Sequence, residues 1–427
     1  MKKETTRSPL LAVSEAQEII LAAVQPAQPE SISLQQANGR ILSAESSARF
    51  DMPPFTNSSA DGFAVRAADT LKANLEKPVF LKVIGDIPAG SNPGFSIQAG
   101  EAARIMTGAV VPKGADAVVM IEATDAYASG LDAPLPQWIG LSARVKAGDS
   151  IRPRGQDAAA GTILFPIGHR LLPQDLGLLA SQGYDAVSVF RQPRVALLST
   201  GDELVEQGEP LMPGKIYDSN SSMLRAMIVE TGATITHSGF VRDDEKTIRE
   251  RLDAIVETGV DLLVTSAGVS VGPFDYVRKI IEEKGVMTFW RVNMRPGKPL
   301  VFGNYRGVPV IGLPGNPVSS FVGCLIFVIP AIKKMAGLSN HRMVTLQANL
   351  LEPVDSDGRE SYLRAILENR AGNWLVKLSG HQGSGNLFAL TRANALLILP
   401  SGVKSLPAGA DVNVYPFSTE SSWEKSW

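Results

Sequence analysis

The chain is poor in the residues that most often announce a chemistry. It has one cysteine, Cys324, in 427 residues. That excludes an internal disulfide framework and fits a reducing compartment. Cys324 sits among Phe321, Leu325 and Phe327, so it reads as a core thiol rather than a nucleophile. The four histidines, at 169, 237, 341 and 381, lie far apart in no ligand spacing, which argues against a zinc site. Charge nearly cancels, at a formal −2, so no global basic field favours nucleic acid or an anionic membrane. No apolar run closely follows Met1-Lys2-Lys3-Glu4, so a signal peptide is not expected. The most apolar segment, Val318 to Ile332, is short for a membrane span and carries Pro330; it reads as a buried helix. A cytoplasmic location is expected. A Gly-Lys-Ser/Thr phosphate loop is missing.

What remains is an ordinary globular composition, 44% hydrophobic and 20% charged, in a chain too long for a single core. Residues 14 to 24 read as a helix opened by a Ser14-x-x-Gln17 capping box, with Val13 as a staple. Between 51 and 148, short β-prone runs alternate with Gly/Pro turns, as in a small inserted β-rich domain. Residues 191 to 337 alternate strand and helix, which predicts a doubly wound parallel α/β domain. Pro317 suits the first turn of the apolar helix. Short strands return from 338 to 427 and predict a C-terminal β-barrel. Segments 1–50 and 149–190 are left to form an N-terminal linker domain around the insertion.

Two turns carry most of the information. Val195-Ala196-Leu197-Leu198 runs into Ser199-Thr200-Gly201-Asp202-Glu203, and Leu262-Leu263-Val264 runs into Thr265-Ser266-Ala267-Gly268-Val269-Ser270-Val271-Gly272, with Asp275 close behind. Ligands of open α/β sheets lie beyond the carboxyl ends of strands, where backbone N–H groups attract phosphate. Gly268 and Gly272 allow close backbone approach, and Ser266 and Ser270 can donate hydrogen bonds. Asp202 and Glu203 read either as Mg²⁺ ligands beside a phosphate or as a polar capping loop. Asp275 either caps the following helix or faces a metal. Arg291, Arg295 and Lys298 lie in a stretch stiffened by Pro296 and Pro299, read as a basic loop that grips an oxyanion. Asp61, Thr107 and Asp157 read singly as turn residues, Asp157 as an ion-pair partner for Arg154.

Taken in order, the segments Asp51-Met52-Pro53-Pro54-Phe55, Asp61-Gly62-Phe63-Ala64, Met106-Thr107-Gly108-Ala109, Arg154-Gly155-Gln156-Asp157, Ser199 to Leu204, Tyr217-Asp218-Ser219-Asn220, Gly268 to Gly272, Pro296-Gly297-Lys298-Pro299 and Leu313 to Ser319 resemble the molybdopterin molybdenumtransferase family, which includes the C-terminal domain of gephyrin. The resemblance covers nearly the whole chain. It implies a four-part subunit with an elongated linker domain, and a homodimer whose active site is shared between subunits. It implies Mg²⁺-dependent insertion of molybdenum, with molybdate as substrate, into adenylylated molybdopterin and release of AMP. Asp61 and Thr107 would come from the partner chain. Glu203, Asp243 and Asp275 match acidic positions near metal and nucleotide, with Glu203 and Asp275 the expected metal ligands. Asp157 joins the catalytic set. Thr200, Gly201, Pro314 and Asn316 join the substrate contacts, and Arg291, Arg295 and Lys298 match basic positions near pterin phosphate and molybdate. The molybdopterin adenylyltransferase and apo-molybdoenzymes are the implied protein partners. Ala60, Phe63 and Ala267 depart from the pattern, and arginine stands at two positions where lysine is common. Three other readings stay open: a gephyrin-like scaffold without turnover, a tungstate-selective paralogue, and a Mg²⁺-dependent nucleotide pyrophosphatase.

Overall fold

A computed structural model describes residues 10–130, 133–269 and 275–417. They divide into two compact units: the described parts of 1–44, 167–176 and 186–427, and those of 45–166 and 177–185.

The first unit holds a six-stranded sheet. Its order is Thr234–Val241, Arg194–Thr200, Leu262–Ser266, Val308–Leu313, Pro299–Tyr305, Gly285–Arg291. The first four strands are parallel. Leu262–Ser266 is buried throughout, as a strand covered on both faces must be. Helices Ser219–Glu230 and Glu245–Glu257 are opened by Asp218 and Asp244, whose carboxylates accept from Ser221 N and Thr247 N. The second helix buries Ile248, Leu252 and Ile255, the apolar stripe read from the sequence.

The basic stretch from Trp290 to Pro299 connects two strands that the sequence reading lacks, and is itself strand at Met294–Arg295. Gly285–Arg291 and Pro299–Tyr305 pair antiparallel with each other, and the latter with Val308–Leu313. The reason is the turn Tyr305-Arg306-Gly307-Val308. Arg306 and Gly307 both take positive φ, +51° and +91°, the requirement of a two-residue hairpin. Thr288 interrupts the apolar run of the first strand, and Gly303 and Asn304 that of the second, which Pro299 opens.

The helix at the start of the chain spans Val13–Ala23, but it has no capping box. Val13 is buried and already helical, so Ala12 takes the N-cap position and Ser14 lies inside the first turn. Gln17 is used elsewhere: its Nε2 donates to Ile326 O at 2.9 Å. That carbonyl belongs to the apolar run Pro317–Gly323, Cys324–Val328, Ile329–Met335, whose middle segment is π-helical. Pro330 has no N–H to return to residue 326, and Gln17 supplies the missing donor. This run is the one stretch among the described residues long and apolar enough to cross a membrane, and it is buried in the core. Cys324 is fully buried, which pushes its thiol up, out of nucleophile range.

The C-terminal strands close on themselves. Glu360–Arg370, Asn373–Leu378, Leu346–Leu350, Asp411–Pro416 and Ala395–Leu399 form a ring, because Ala395–Leu399 also pairs with Glu360–Arg370. Met294–Arg295 adds parallel to Glu360 and Ser361, joining the basic segment to the barrel. The second unit is built on a five-stranded sheet: Ala117–Met120, Gly62–Val65, Glu101–Ile105, Val79–Ile87, Trp138–Leu141. Phe63 and Val65 pack on one face and Ala64 on the other. A Cβ at Gly62 would stand 2.0 Å from Val119 O, so only glycine fits after Asp61.

Candidate functional site

The parallel strands end together, and their turns enclose a cavity of about 70 Å³ lined by Ser199, Thr200, Glu203, Asn220, Ser266 and Ala267, among others. Asn220 ties it together. Its Nδ2 donates to Ser266 Oγ and to Gly315 O, each at 2.8 Å, linking the first turn of helix Ser219–Glu230 to two strand ends. A carbonyl can only accept, so the amide cannot be flipped, and Oδ1 is left buried without a donor. Thr200 Oγ1, Thr265 Oγ1 and Asp243 Oδ1 are likewise buried without a partner. Native interiors seldom leave such atoms unpaired unless a ligand or water meets them. Gly268 sits at φ +69°, and a Cβ there would approach Val277 Cγ2 to 2.9 Å and Thr200 Oγ1 to 3.0 Å, so this turn requires glycine. Ala267 beside it is also left-handed, at φ +71°, where a methyl group is strained.

The acidic residues lie on the same edge. Glu203 folds back against Gly201, 2.7 Å from where a Cβ would stand. Asp243 N donates to Asp202 Oδ1 at 3.3 Å. Burial pushes the Asp243 carboxyl up, opposed by the neighbouring Thr200 hydroxyl and reinforced by the negative charges of Glu203 and Asp202. Asp275 holds the N-cap position of helix Tyr276–Lys284. Among the described residues, no three His, Cys, Asp or Glu side chains converge into a metal site by themselves. Ser270 and Gly272 lie outside the described residues.

Arg295 and Lys298 face a different space, whose wall Arg291 does not form. A pocket of about 360 Å³ is lined by Arg295, Lys298, Asn316, Arg359, Arg364 and Ser384, among others. Asn316 lines this pocket while its neighbours Gly315 and Pro317 line the strand-edge cavity, so the two spaces adjoin. Among the described residues the side chains of Arg295 and Lys298 make no hydrogen bond or ion pair. Arg359 is neutralised by Asp357 and donates to Met294 O at 3.1 Å. Arg364 is 1% exposed; it donates to His381 O at 2.7 Å, and its Nε has no partner. Burial pushes its guanidinium pKa down. Arg359, Arg364 and Asn220 are absent from the set read as candidates in the sequence. The two arginines sit on the barrel, more than 60 residues beyond Lys298, and no local spacing relates them to it. Asn220 was visible in the Tyr217-Asp218-Ser219-Asn220 motif, but without its two acceptors. Pro314 follows the strand Val308–Leu313, and its carbonyl accepts from Ser320 Oγ.

In the second unit, Asp61 Oδ1 accepts from Thr107 N at 2.7 Å and Thr107 Oγ1 at 2.8 Å. These two candidates therefore form one element, with the threonine hydroxyl oriented by the carboxylate. Asp157 pairs with Arg152 at 2.5 Å, not with Arg154 as the spacing suggested. Arg154 instead reaches Asp51. Both pairs are solvent-facing, and the pairing is set by the fold of the 152–157 turn, whose Gly155 and Asp157 N–H groups donate to Pro53 O and Met52 O.

Comparisons with known proteins agree along the whole chain. Residues 11–183 match the MoeA N-terminal region (domain I and II), 196–334 a probable molybdopterin binding domain, and 347–417 the MoeA C-terminal region (domain IV). A molybdopterin molybdenumtransferase of Nostoc is 38% identical, covering 90% of this chain and 88% of that protein. A molybdopterin molybdenumtransferase 2 of Mycobacterium tuberculosis is 37% identical, covering 95% and 99%. The crystal structure of a molybdopterin biosynthesis protein from Pyrococcus horikoshii superposes with a TM-score of 0.80 at 29% identity, covering 96% of this chain and all of that one. With both the fold and the sequence matched over nearly its full length, the chain belongs to the molybdopterin molybdenumtransferase family, transferases of molybdenum cofactor biosynthesis.

Proposed function

We propose that this protein inserts molybdenum from molybdate into adenylylated molybdopterin, with Mg²⁺ and release of AMP. The observation that carries this reading is the joining of two unlike spaces. The strand-edge cavity offers backbone turns and carboxylates suited to a phosphate with its cation. The adjoining pocket offers unpaired Arg295 and Lys298 and the buried, unpartnered Nε of Arg364, more positive charge than a nucleotide alone requires. Molybdate binds there as a dianion. Two dithiolene thiols form Mo–S bonds while one oxygen, taking their two protons, leaves as water, and the cations offset the charge on that oxygen as it departs. The sulfur nucleophiles belong to the substrate, which is consistent with the inert Cys324.

The residues present fit Mg²⁺. This ion is usually held by one or two carboxylates plus substrate phosphate, not by an all-protein cage. The buried Asp243 Oδ1 without a partner agrees with that division. Glu203 and Asp275 are the proposed ligands, with Asp243 beside them. Bound there, the ion would polarise the phosphoryl linkage that water cleaves to release AMP.

We extend the proposal to a homodimer of four-part subunits, divided as read from the sequence, in which Asp61 and Thr107 complete the partner's site. Asp157 is retained as a support for that element through Arg152. The decisive experiment follows AMP release from adenylylated molybdopterin with Mg²⁺, with and without molybdate. Release that requires molybdate and yields metal-loaded pterin upholds the transferase. Release indifferent to molybdate marks a hydrolase and overturns the reading; binding without release marks a scaffold and does the same.

A further inference from the structure

Arg291 is held unlike the other basic residues. Its guanidinium carbon lies 3.8 Å from the centroid of the Trp290 ring, and among the described residues the side chain makes no hydrogen bond or ion pair. Arg278 lies against the same ring, 4.2 Å from its centroid, while its Nε reaches Glu282 Oε1 at 3.2 Å. One indole is thus touched by two guanidiniums, of which one is paired and one is not. Neighbours in a strand normally point to opposite faces, so Trp290 and Arg291 should not meet. They meet where the ladder with Pro299–Tyr305 shifts register on both sides of Phe289. Such irregularities re-aim side chains and cluster beside active sites. Trp290 also packs on the core that includes Val277 and Ile280 of the helix following Asp275. Its ring therefore spans from the helix that Asp275 opens to the strand that ends in Arg291.

We propose that Trp290 is a positioning residue: its indole fixes the Arg291 guanidinium by face contact, leaving the N–H edges for an oxyanion. A stacked arginine keeps its five donors in a plane, and a carboxylate partner would have consumed them. Arg278, already paired to Glu282, serves as the ring's second contact rather than as a competing anion binder. The proposal rests on the oxyanion reading above: its ligand is molybdate on its way to the Arg295–Lys298 pocket, whose wall Arg291 does not form.

The test is a double-mutant cycle on the full-length protein, reading molybdate binding by calorimetry and the KM and kcat for molybdate-dependent AMP release. Trp290→Leu is expected to weaken molybdate binding about three- to tenfold, raising KM more than it lowers kcat. Trp290→Phe keeps an aromatic face and should recover most of that loss. In an Arg291→Leu background, Trp290→Leu should cost nothing further, because the ring acts through the arginine. Full additivity, or unchanged binding in Trp290→Leu, overturns the proposal. If Trp290→Leu does not fold, Trp290→Gln, which also removes the aromatic face, takes its place in the cycle and is read by the same criterion. Failure of the wild-type protein to bind molybdate would instead sink the substrate reading, and this inference with it.

Discussion

The two ends of the central sheet obey opposite rules. At the amino end, charges are matched. Asp261 accepts from Arg191 Nη1 and Nη2, at 3.0 and 2.8 Å, and from Arg194 N at 2.6 Å. Asp253 accepts from Tyr305 Oη at 2.8 Å and Arg306 Nη1 at 3.0 Å, locking the hairpin to its helix. At the carboxyl end, Thr200, Asn220, Asp243 and Thr265 each keep a buried polar atom without a partner. Identical scaffolding thus stores stability at one end and unmet bonding capacity at the other. Real proteins depart from local satisfaction where they bind, and recover the cost elsewhere.

This contrast can be broken most severely at the acidic edge. Glu203→Ala and Asp61→Ala should each lower molybdate-dependent AMP release at least about 100-fold while leaving the melting temperature nearly unchanged. If the site is shared across a two-fold dimer, mixing the two inactive proteins under exchange conditions should restore about a quarter of wild-type activity. No recovery in verified mixed dimers would place Asp61 and Glu203 in the same subunit's site.

Asp261→Ala should do the reverse. It strips three bonds from the amino end and should destabilise the protein by about 2 kcal/mol in urea melts, with kcat unchanged. A loss of kcat without a loss of stability would show that the two ends are not separate in function.

Acid titration sharpens the comparison through its sign. The hydrogen bond from Tyr305, then Arg306, lowers the Asp253 pKa against a modest burial penalty. Its contribution is present above the unfolded pKa and is lost as pH falls through the lowered folded value. Asp243 is raised, so its relative contribution is present at low pH and is lost as pH rises through the raised value. Without ligand at neutral pH, Asp253→Asn should therefore lower the melting temperature and Asp243→Asn should raise it. Both differences should shrink as pH falls into the carboxylate range. Tyr305, pushed up to about 12 mainly by burial, predicts a separate alkaline loss of stability from its unfolded value near 10 upward.

The smallest effect concerns Ala267. Replacing it with glycine removes a left-handed methyl group and should stabilise the protein by about 1 kcal/mol or less in a thermal melt. A clear destabilisation would mean that the methyl contact across to Gly315, where a Cβ would meet it at 3.2 Å, packs the turn.

The sequence reading was strongest where local chemistry decides. The glycine turns after Leu198 and Val264, the proline that opens the apolar helix, and the barrel strands all follow from short-range constraints. It was weakest where distant segments decide. Ser14 and Gln17 have the spacing of a capping box, but burial of Val13 moved the helix start and a proline 313 residues on claimed the glutamine. The strands at 285–291 and 299–305 are interrupted by Thr288, Gly303 and Asn304, so their pairing is visible only once the Arg306-Gly307 turn is known. Arg154 and Asp157 are near in sequence, yet Asp51 took the arginine. Arg364 could not be assigned because its pocket exists only after the barrel docks along Met294 and Arg295.

The bond from Gln17 to Ile326 has a bearing on synthesis. A ribosome delivers the helix Val13–Ala23 more than 300 residues before the carbonyl that Pro330 leaves unpaired. Until then Ala16 and Ile20, both fully covered in the finished protein, have no permanent partner. The first element made is thus among the last to find its place, and the nascent chain must shelter an apolar helix through most of its translation. Dependence on a holding chaperone should fall when this helix is deleted from a growing chain, even though the completed protein would then be left with a buried carbonyl and no donor.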